Sequence, residues 1–533
     1  MSQTPRKQNF LQGTALLAMA TVVVKLIGAL YKIPLNAIIG PEGFSYFNTA
    51  YEIYNVLLTI SVTGLPVAIS RMISEANALG HHNQVRQIYR TGRSVALVLG
   101  SMGSLLMTIF CRELAQFQEQ PDAWFAIGCL GPALLLICIL STFRGFFQGQ
   151  GNMAPTSISQ VLEAICKLIV GMALAIMLLQ LTGESSFAAG GAILGVTISC
   201  VISAIYLFFR YQKAKKLLPT SDEPMVSYGK TLRNLLAISI PITIGSAGLS
   251  ILTVLETKVY MSQLIGLGYS QDQADVMKGI YDMSKTIFNL PIAFVAPVTI
   301  SIVPAITAHV AIKNNAGAKA TEESALRVLS LIIAPCSVGL MVLARPVMAL
   351  LGHYSAANLP LAGTLMALLS ASILFYAMIM VTNSIMQAHG HANLPVINMV
   401  LGGLVKLGAT YILTSNPHLG IVGAPIGALL GHMAIMVLNL ITLRRCTEDP
   451  PALLRQLAKP VFASVLMGVI VLAFRLGLER LMGPGCSNLI LTALPILVGV
   501  AVYGFTAIKL KAITREDCML LPKGEKIANL LHL

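Results

Sequence analysis

Fourteen apolar runs, most of them about 20 residues long, dominate this chain and leave little choice of solvent. They centre near residues 9–31, 45–70, 91–111, 123–147, 155–181, 187–209, 234–265, 279–308, 325–349, 359–387, 394–414, 419–443, 457–478 and 487–509. Coiled as α-helix, a run of that length crosses the hydrocarbon of a bilayer. Of the 533 residues, 56% are hydrophobic and 11% charged, whereas soluble domains carry about a quarter charged. A water-soluble core cannot absorb that much apolar surface, and in lipid only helices or closed barrels satisfy their own backbone. The sequence therefore predicts an all-α integral membrane protein with 14 transmembrane helices and short connectors. The first run follows Arg6 and Lys7 like a signal peptide, but it is too long for one and carries Lys25. It counts as a spanning helix.

The net charge of +14 has a membrane explanation. Alternate connectors hold about 25 basic residues against about six on the opposite side, which predicts that both termini are cytoplasmic. No basic stripe with interleaved aromatics lies outside the apolar runs, so nucleic acid is not an expected partner. The nine cysteines show no CxxC spacing and fall mostly in apolar runs, which predicts neither disulfides nor a metal site. His389 and His391 lie in a tight turn and read as ordinary turn polars. Without GxxxxGK[ST], HExxH or GxSxG, the chain has no hydrolytic motor or catalytic signature of these kinds. No cofactor is expected. Work done across the membrane would draw on a coupled ion (Na+ or H+), the membrane potential or the cargo gradient.

An internal echo organises the rest. Residues 144–167, RGFFQGQGNMAPTSISQVLEAICK, return in weaker form at 383–406, NSIMQAHGHANLPVINMVLGGLVK. Gln148 matches Gln387, Gly151 matches Gly390 and Lys167 matches Lys406, with Pro155 and Pro395 one residue out of step. A second match pairs 51–70 with 281–301, aligning Glu52 with Asp282, Pro66 with Pro297 and Ser70 with Ser301. Six runs per half puts both halves in the same orientation, a parallel repeat with its pseudo-two-fold axis along the membrane normal. The expected division is a six-helix bundle at 1–210, a cytoplasmic linker at 211–233, a second bundle at 234–445, two added helices at 446–510 and a tail at 511–533. The two polar turns, with Gln148, Gly151 and Asn152 in one and Gln387 and Gly390 in the other, are expected at the cytoplasmic mouth.

Ionisable groups inside spans cost roughly 2.5–3.5 kcal/mol each on insertion scales and normally face a partner or a wet cavity. Here they are Lys25, Glu52, Glu163, Lys167, Glu256, Lys258, Asp282, Lys285 and Lys406, with Arg71 and Arg144 at span ends. Some have a local explanation. Glu163 with Lys167, and Asp282 with Lys285, have the spacing of helical pairs, while Arg71 with Glu75 suits a helix end at the headgroups. Lys406 has Gly402 where Lys167 has Glu163, and Glu256 and Lys258 point to opposite faces. An excess of cations in a membrane chamber points to an anionic cargo such as phosphate or pyrophosphate. Pro66, Pro241, Pro291, Pro297 and Pro304 supply bends in the second, seventh and eighth runs.

The stretch RGFFQGQGNMAPTSISQVLE at 144–163, the run GLPVAISRMISEA at 64–76 and LTSNPHLGIVGAPIGALLGH at 413–432 resemble the polysaccharide-exporter branch of the multidrug/oligosaccharidyl-lipid/polysaccharide superfamily. Within it the chain looks like the SpoVB and MurJ-type lipid II flippases of Gram-positive bacteria. The resemblance implies a MATE/MurJ-like fold, an undecaprenyl-pyrophosphate-linked glycolipid as substrate, membrane lipids around it and cell-wall synthesis machinery as a partner. It also implies functional basic residues on the first span, where Lys25 and Lys32 (or its neighbour Tyr31) fall. On the eighth span the family's Asp-Arg…Glu cluster is replaced by SKTIFNLP at 284–291, with Lys285 its single charge and Asp282 upstream. The two added spans would form a groove for the prenyl tail. Alternatives are a flippase for another polyprenyl-linked glycan or a sporulation-specific role, and a cation-coupled drug exporter, which would favour twelve spans and carboxylates. A membrane glycosyltransferase or polymerase would need a large extracytoplasmic loop or a DxD motif, and neither is present.

Overall fold

The structure, a computed structural model, describes residues 10–216, 226–352, 354–482 and 487–512, and every regular element among them is helical. Eleven helical stretches among the described residues are long and apolar enough to cross a membrane. Residues 217–225 of the expected linker and the tail from 513 lie outside the described residues. The chain forms two compact units, Met1–Gly279 and Ile280–Leu533, dividing inside a helix rather than at the expected linker.

The first unit contains α1 (Phe10–Val62), α2 (Gly64–Ala78), α3 (His82–Ile109), a short α4 (Cys111–Phe117), α5 (Trp124–Gly149), α6 (Ala154–Thr182), α7 (Ser185–Lys216), α8 (Tyr228–Gly266) and the start of α9 (Gln271–Ile292). No loop separates the first two apolar runs, and helical structure continues through the expected connector. The break is one residue, Gly40, at φ 73° and followed by Pro41. Only glycine adopts that left-handed backbone without strain, and proline is suited to restart a helix. Close to this bend Gly279 of α9 meets the Pro41 carbonyl so tightly that a Cβ would not fit. The α6–α7 pair packs along its length, with Gly195 against the Gly171 backbone and Gly191 against the Leu174 carbonyl. Small residues let two membrane helices approach to backbone distance, where packing takes the place of the hydrophobic effect.

The second unit contains the remainder of α9, α10 (Val295–Ala311), α11 (Asn315–Val342), α12 (Ala344–Gly352), α13 (Leu359–Ala371), α14 (Ile373–Ala388), α15 (Asn393–Thr414), α16 (Gly423–Cys446), α17 (Leu453–Met482) and α18 (Asn488–Lys509). A buried amide cluster ties three of them together. Asn439 on α16 donates to Thr382 Oγ1 (2.9 Å) and Asn383 Oδ1 (2.8 Å) on α14, and Asn398 on α15 donates to Asn439 Oδ1 (3.0 Å). The added helices are pinned to α11, where Tyr503 donates to the Leu331 carbonyl and Arg475 to the Val342 carbonyl, both at 2.8 Å.

The duplication is visible in backbone bonding. At the end of α5, Gly151 (φ 71°) donates to the Gln148 carbonyl (2.9 Å) and Asn152 to the Phe147 carbonyl (3.0 Å). At the end of α14, Gly390 (φ 85°) donates to Gln387 (3.0 Å) and His391 to Met386 (2.9 Å). Both are Schellman terminations, and every participating residue is offset by the same 239 positions. Nothing lies within 4 Å of a Cβ at either glycine, so backbone conformation alone explains the residue type. The second match also shows a shared feature. Helix α1 ends at Val62 before α2, and α9 ends at Ile292 before α10, so the second and eighth runs, in which prolines were expected to supply bends, break at equivalent places. The ninth and tenth runs break too, at Leu343 and Ser372. Hydropathy reports a run's length in lipid and says nothing of a one-residue interruption within it.

Candidate functional site

The later part of α1 sets Phe44, Phe47, Asn48 and Tyr51 at helical spacing, so they share a face. Lys32 lies on the same element before the bend. In a straight helix Lys32 and Asn48 would stand about 24 Å apart, yet Lys32 Nζ donates to Asn48 Oδ1 at 2.8 Å. The turn at Gly40 brings them together. Asn48 is itself oriented by donating to the Phe44 carbonyl at 2.8 Å. The Lys32 ammonium then lies 6.0 Å from the Phe44 ring centre and 5.8 Å from those of Phe47 and Tyr51.

Lys167 on α6 approaches the same ring. Its Nζ is 4.8 Å from the centre of Tyr51 and 5.4 Å from that of Tyr31. Tyr31 is buried and donates to the Ala192 carbonyl of α7 at 3.1 Å, through the gap left by Gly171. Glu163 does not neutralise Lys167 directly. Its Oε2 accepts from Arg144 Nη2 at 2.7 Å, and Arg144 Nε donates to Ser159 Oγ at 3.2 Å. Among the described residues the Lys167 ammonium has ring faces but no hydrogen bond, and the buried Tyr51 hydroxyl has no hydrogen-bond partner. Two ammonium groups thus flank one tyrosine whose own donor is unused. Ammonium groups and a hydroxyl so placed offer donors of the kind that phosphate oxygens accept from.

Elsewhere in this unit, Lys25 is exposed and Glu52 partly buried on α1. Arg71 and Glu75 on α2 line a polar pocket of about 280 Å³ with Gln84 and Asn234. In the turn after α5, Gln148 and Asn152 are half-buried and Gly151 is exposed, while the Gly149 carbonyl accepts from Ser74 (3.1 Å) and Asn77 (3.3 Å) of α2. Glu256 is buried on α8. Lys258 pairs with Glu119 at 2.8 Å and lies 5.1 Å from the Phe117 ring centre. Beside that pair is a cluster that sequence reasoning missed. Asp275 Oδ1 accepts from Gln120 (2.7 Å) and Gln271 (3.1 Å), and its Oδ2 accepts from Tyr46 (3.1 Å). Burial pushes this carboxyl up to about 6, against the pull of those hydrogen bonds and of nearby Lys278. Lys278 is fully buried. The available signal was the Asp275–Lys278 spacing just before the eighth run.

In the second unit, Asp282 and Lys285 form the expected i,i+3 pair at 3.2 Å, with the ammonium 4.4 Å from the Tyr281 ring centre. Lys406 is half-buried on α15, where its Cβ would lie 2.5 Å from any Cβ added at Gly431. Gln387 and Gly390 are exposed at the turn after α14. An apolar groove of about 650 Å³ runs between α9, α11, α17 and α18, lined by Leu290, Gly339, Met467, Val471, Gly499 and Tyr503 among others.

Residues 10–310 match the model of a family described as polysaccharide biosynthesis protein. The chain is 26% identical over 527 residues to the uncharacterized membrane protein YabM of Bacillus subtilis (strain 168), covering 98% of this chain and 96% of that one. It is 25% identical to the stage V sporulation protein B of the same organism, covering 97% and 98%, and 22% identical to its lipid II flippase MurJ, covering 87% and 88%. Among solved structures, the lipid II flippase MurJ in an inward closed conformation superposes with a TM-score of 0.69 at 14% identity, covering 92% of this chain and 98% of that one. An inward-facing MATE-family multidrug resistance transporter gives 0.66 at 16% identity, covering 80% and 98%.

Proposed function

The chain belongs to the polysaccharide biosynthesis protein family, in the flippase branch of the multidrug/oligosaccharidyl-lipid/polysaccharide superfamily, and from that premise we propose that it flips an anionic lipid-linked saccharide across the cell membrane. The cargo in this reading is the undecaprenyl-pyrophosphate-linked peptidoglycan precursor, carried from the cytoplasmic to the outer leaflet by alternating access. The observation that carries the proposal is the pair of ammonium groups, Lys32 and Lys167, flanking Tyr51. A pyrophosphate offers many strong acceptor oxygens, and lysine donors with an unused tyrosine hydroxyl match them. Arg144, paired at 2.7 Å with Glu163 one helical turn before Lys167, adds a third cation to this unit. An exporter of cationic drugs needs the opposite sign of charge.

The groove supports the second half of the reading. A long prenyl chain needs an apolar path, and α17 and α18 supply its walls with Pro495, Gly499 and Met467. We read fourteen crossings: the stretch Met19–Ala78 counts as two because of Gly40, and α8 and the broken α9–α10 each add one to those that qualify by hydropathy. Both termini are then cytoplasmic, and the turns after α5 and α14 face the cytoplasm. Lys25, Arg71, Glu52, Glu256, Lys258, Asp282, Lys285 and Lys406 belong in this proposal to the cargo route or its gates.

Depletion in a host lacking other such flippases tests the function. The expected result is accumulation of an undecaprenyl-pyrophosphate-linked saccharide on the inner leaflet, relieved by the wild-type chain and not by a Lys32→Ala, Lys167→Ala double variant present at normal level. Accumulation of no lipid-linked sugar would sink the proposal. Identification of the sugar separates the peptidoglycan precursor from another glycan.

A further inference from the structure

At the end of the second unit where α14 turns into α15, His389 Nε2 lies 2.7 Å from Glu322 Oε1 on α11. The two side chains differ sharply in access: His389 retains 15% of its surface and Glu322 retains 1%. The second carboxylate oxygen, Oε2, is buried with no hydrogen-bond partner among the described residues. An isolated buried carboxylate is costly, and an orphaned oxygen on it calls for a reason. No group of three metal-ligating side chains exists among the described residues.

The geometry points to a proton-binding site, distinct from the cationic site on α1 and α6, in which Glu322 and His389 hold one exchangeable proton and fasten the α14–α15 turn to α11 when it is present. Imidazole is the side chain suited to exchange a proton near neutral pH, and here it stands between water and the carboxylate. With the proton bound, imidazolium and carboxylate form a charge-assisted hydrogen bond. When the proton leaves to water, neutral imidazole still donates to the carboxylate, but the bond loses one charge and much of its strength. The buried Oε2 then still has no hydrogen-bond partner among the described residues.

The turn itself carries a second imidazole, the exposed His391. On α11 itself are Glu323 and Lys319, and the connector after α16 brings Asp449, which Lys319 holds at 2.6 Å. The carboxylates Glu323 and Asp449 favour proton uptake, while Lys319 opposes it. On α10, His309 lies against Asn314 and Gly317 at the start of α11. The matching turn in the first unit carries Gln150 at the position of His389, a residue that does not titrate. The device therefore belongs to one half of a repeated structure. It does not depend on which cargo is carried, so its test uses no cargo.

Hydrogen exchange of the full-length protein in lipid nanodiscs, followed from pH 5.5 to 8.5 and corrected for intrinsic exchange, reads the proton at this turn. Amides of residues 389–392 in the wild type are expected to lose about fivefold in protection between the two ends of that pH interval, the gap between charged and neutral hydrogen bonds. His389→Gln keeps a donor without a titrating group and should abolish the pH dependence. Glu322→Gln should abolish it as well, with protection near the wild type's high-pH level. A flat wild-type profile, or an unchanged one in His389→Gln, overturns the inference. If Glu322→Gln does not fold, His389→Gln alone decides.

Discussion

Replacing Lys167 by Met separates a cargo cation from a structural one. The side chain stays long and apolar while the charge goes. On the protein side the loss is two contacts with aromatic faces, Tyr51 at 4.8 Å and Tyr31 at 5.4 Å, each worth about 0.5–1 kcal/mol. Against that, an ammonium in a membrane helix costs roughly 2.5–3.5 kcal/mol on insertion scales. Removing it should leave stability unchanged or raise it. On the cargo side a hydrogen bond from an ammonium to a phosphate oxygen is worth about 1.5–3 kcal/mol, which is roughly tenfold to 150-fold in affinity. The assay is binding of undecaprenyl pyrophosphate to purified protein, with thermal unfolding of the same preparations. Lys167→Arg keeps the charge and should bind within a few-fold of wild type. Arg144→Met is the contrast, because it strands Glu163, from which it stood 2.7 Å, and should lower stability as well as binding. Wild-type affinity in Lys167→Met would refute the reasoning. So would a fall in its melting temperature as large as that of Arg144→Met.

Two further outcomes follow from local structure. Gly390→Ala, at φ 85°, should cost about 1–2 kcal/mol from backbone strain alone, and Gly390→Asn less, as read by thermal unfolding; equal losses would mean that something other than conformation requires glycine. Asp275 has its carboxyl raised from 3.8 to about 6 by burial, so its contribution is fully present below pH 4 and is lost as pH rises through 6. Asp275→Asn should therefore gain on wild type as pH rises from 4 to 7, by about 3 kcal/mol at most, and melting curves at the two pH values that differ equally for both proteins would contradict the sign.

The sequence by itself determined the solvent, the helical class and the duplication. Apolar runs of about 20 residues admit one fold class in lipid, and Gly151 and Gly390 mark turns whose backbone requires glycine. It also singled out the charged residues inside those runs as candidates, because charge there is costly. Which charges meet which was decided by tertiary structure. Helical spacing offered Lys167 as the partner of Glu163, but packing of α5 on α6 delivered Arg144 instead and left Lys167 over Tyr31 and Tyr51. Lys32 found Asn48 because one left-handed residue, Gly40, turned α1 back on itself. The same holds for His389, an ordinary turn residue by sequence, which lies on a buried carboxylate 67 positions away. Periodicity reads contacts within a helix, three or four residues apart. A side chain's partner across helices depends on bends and crossings set by single glycines and prolines, and no local pattern records those.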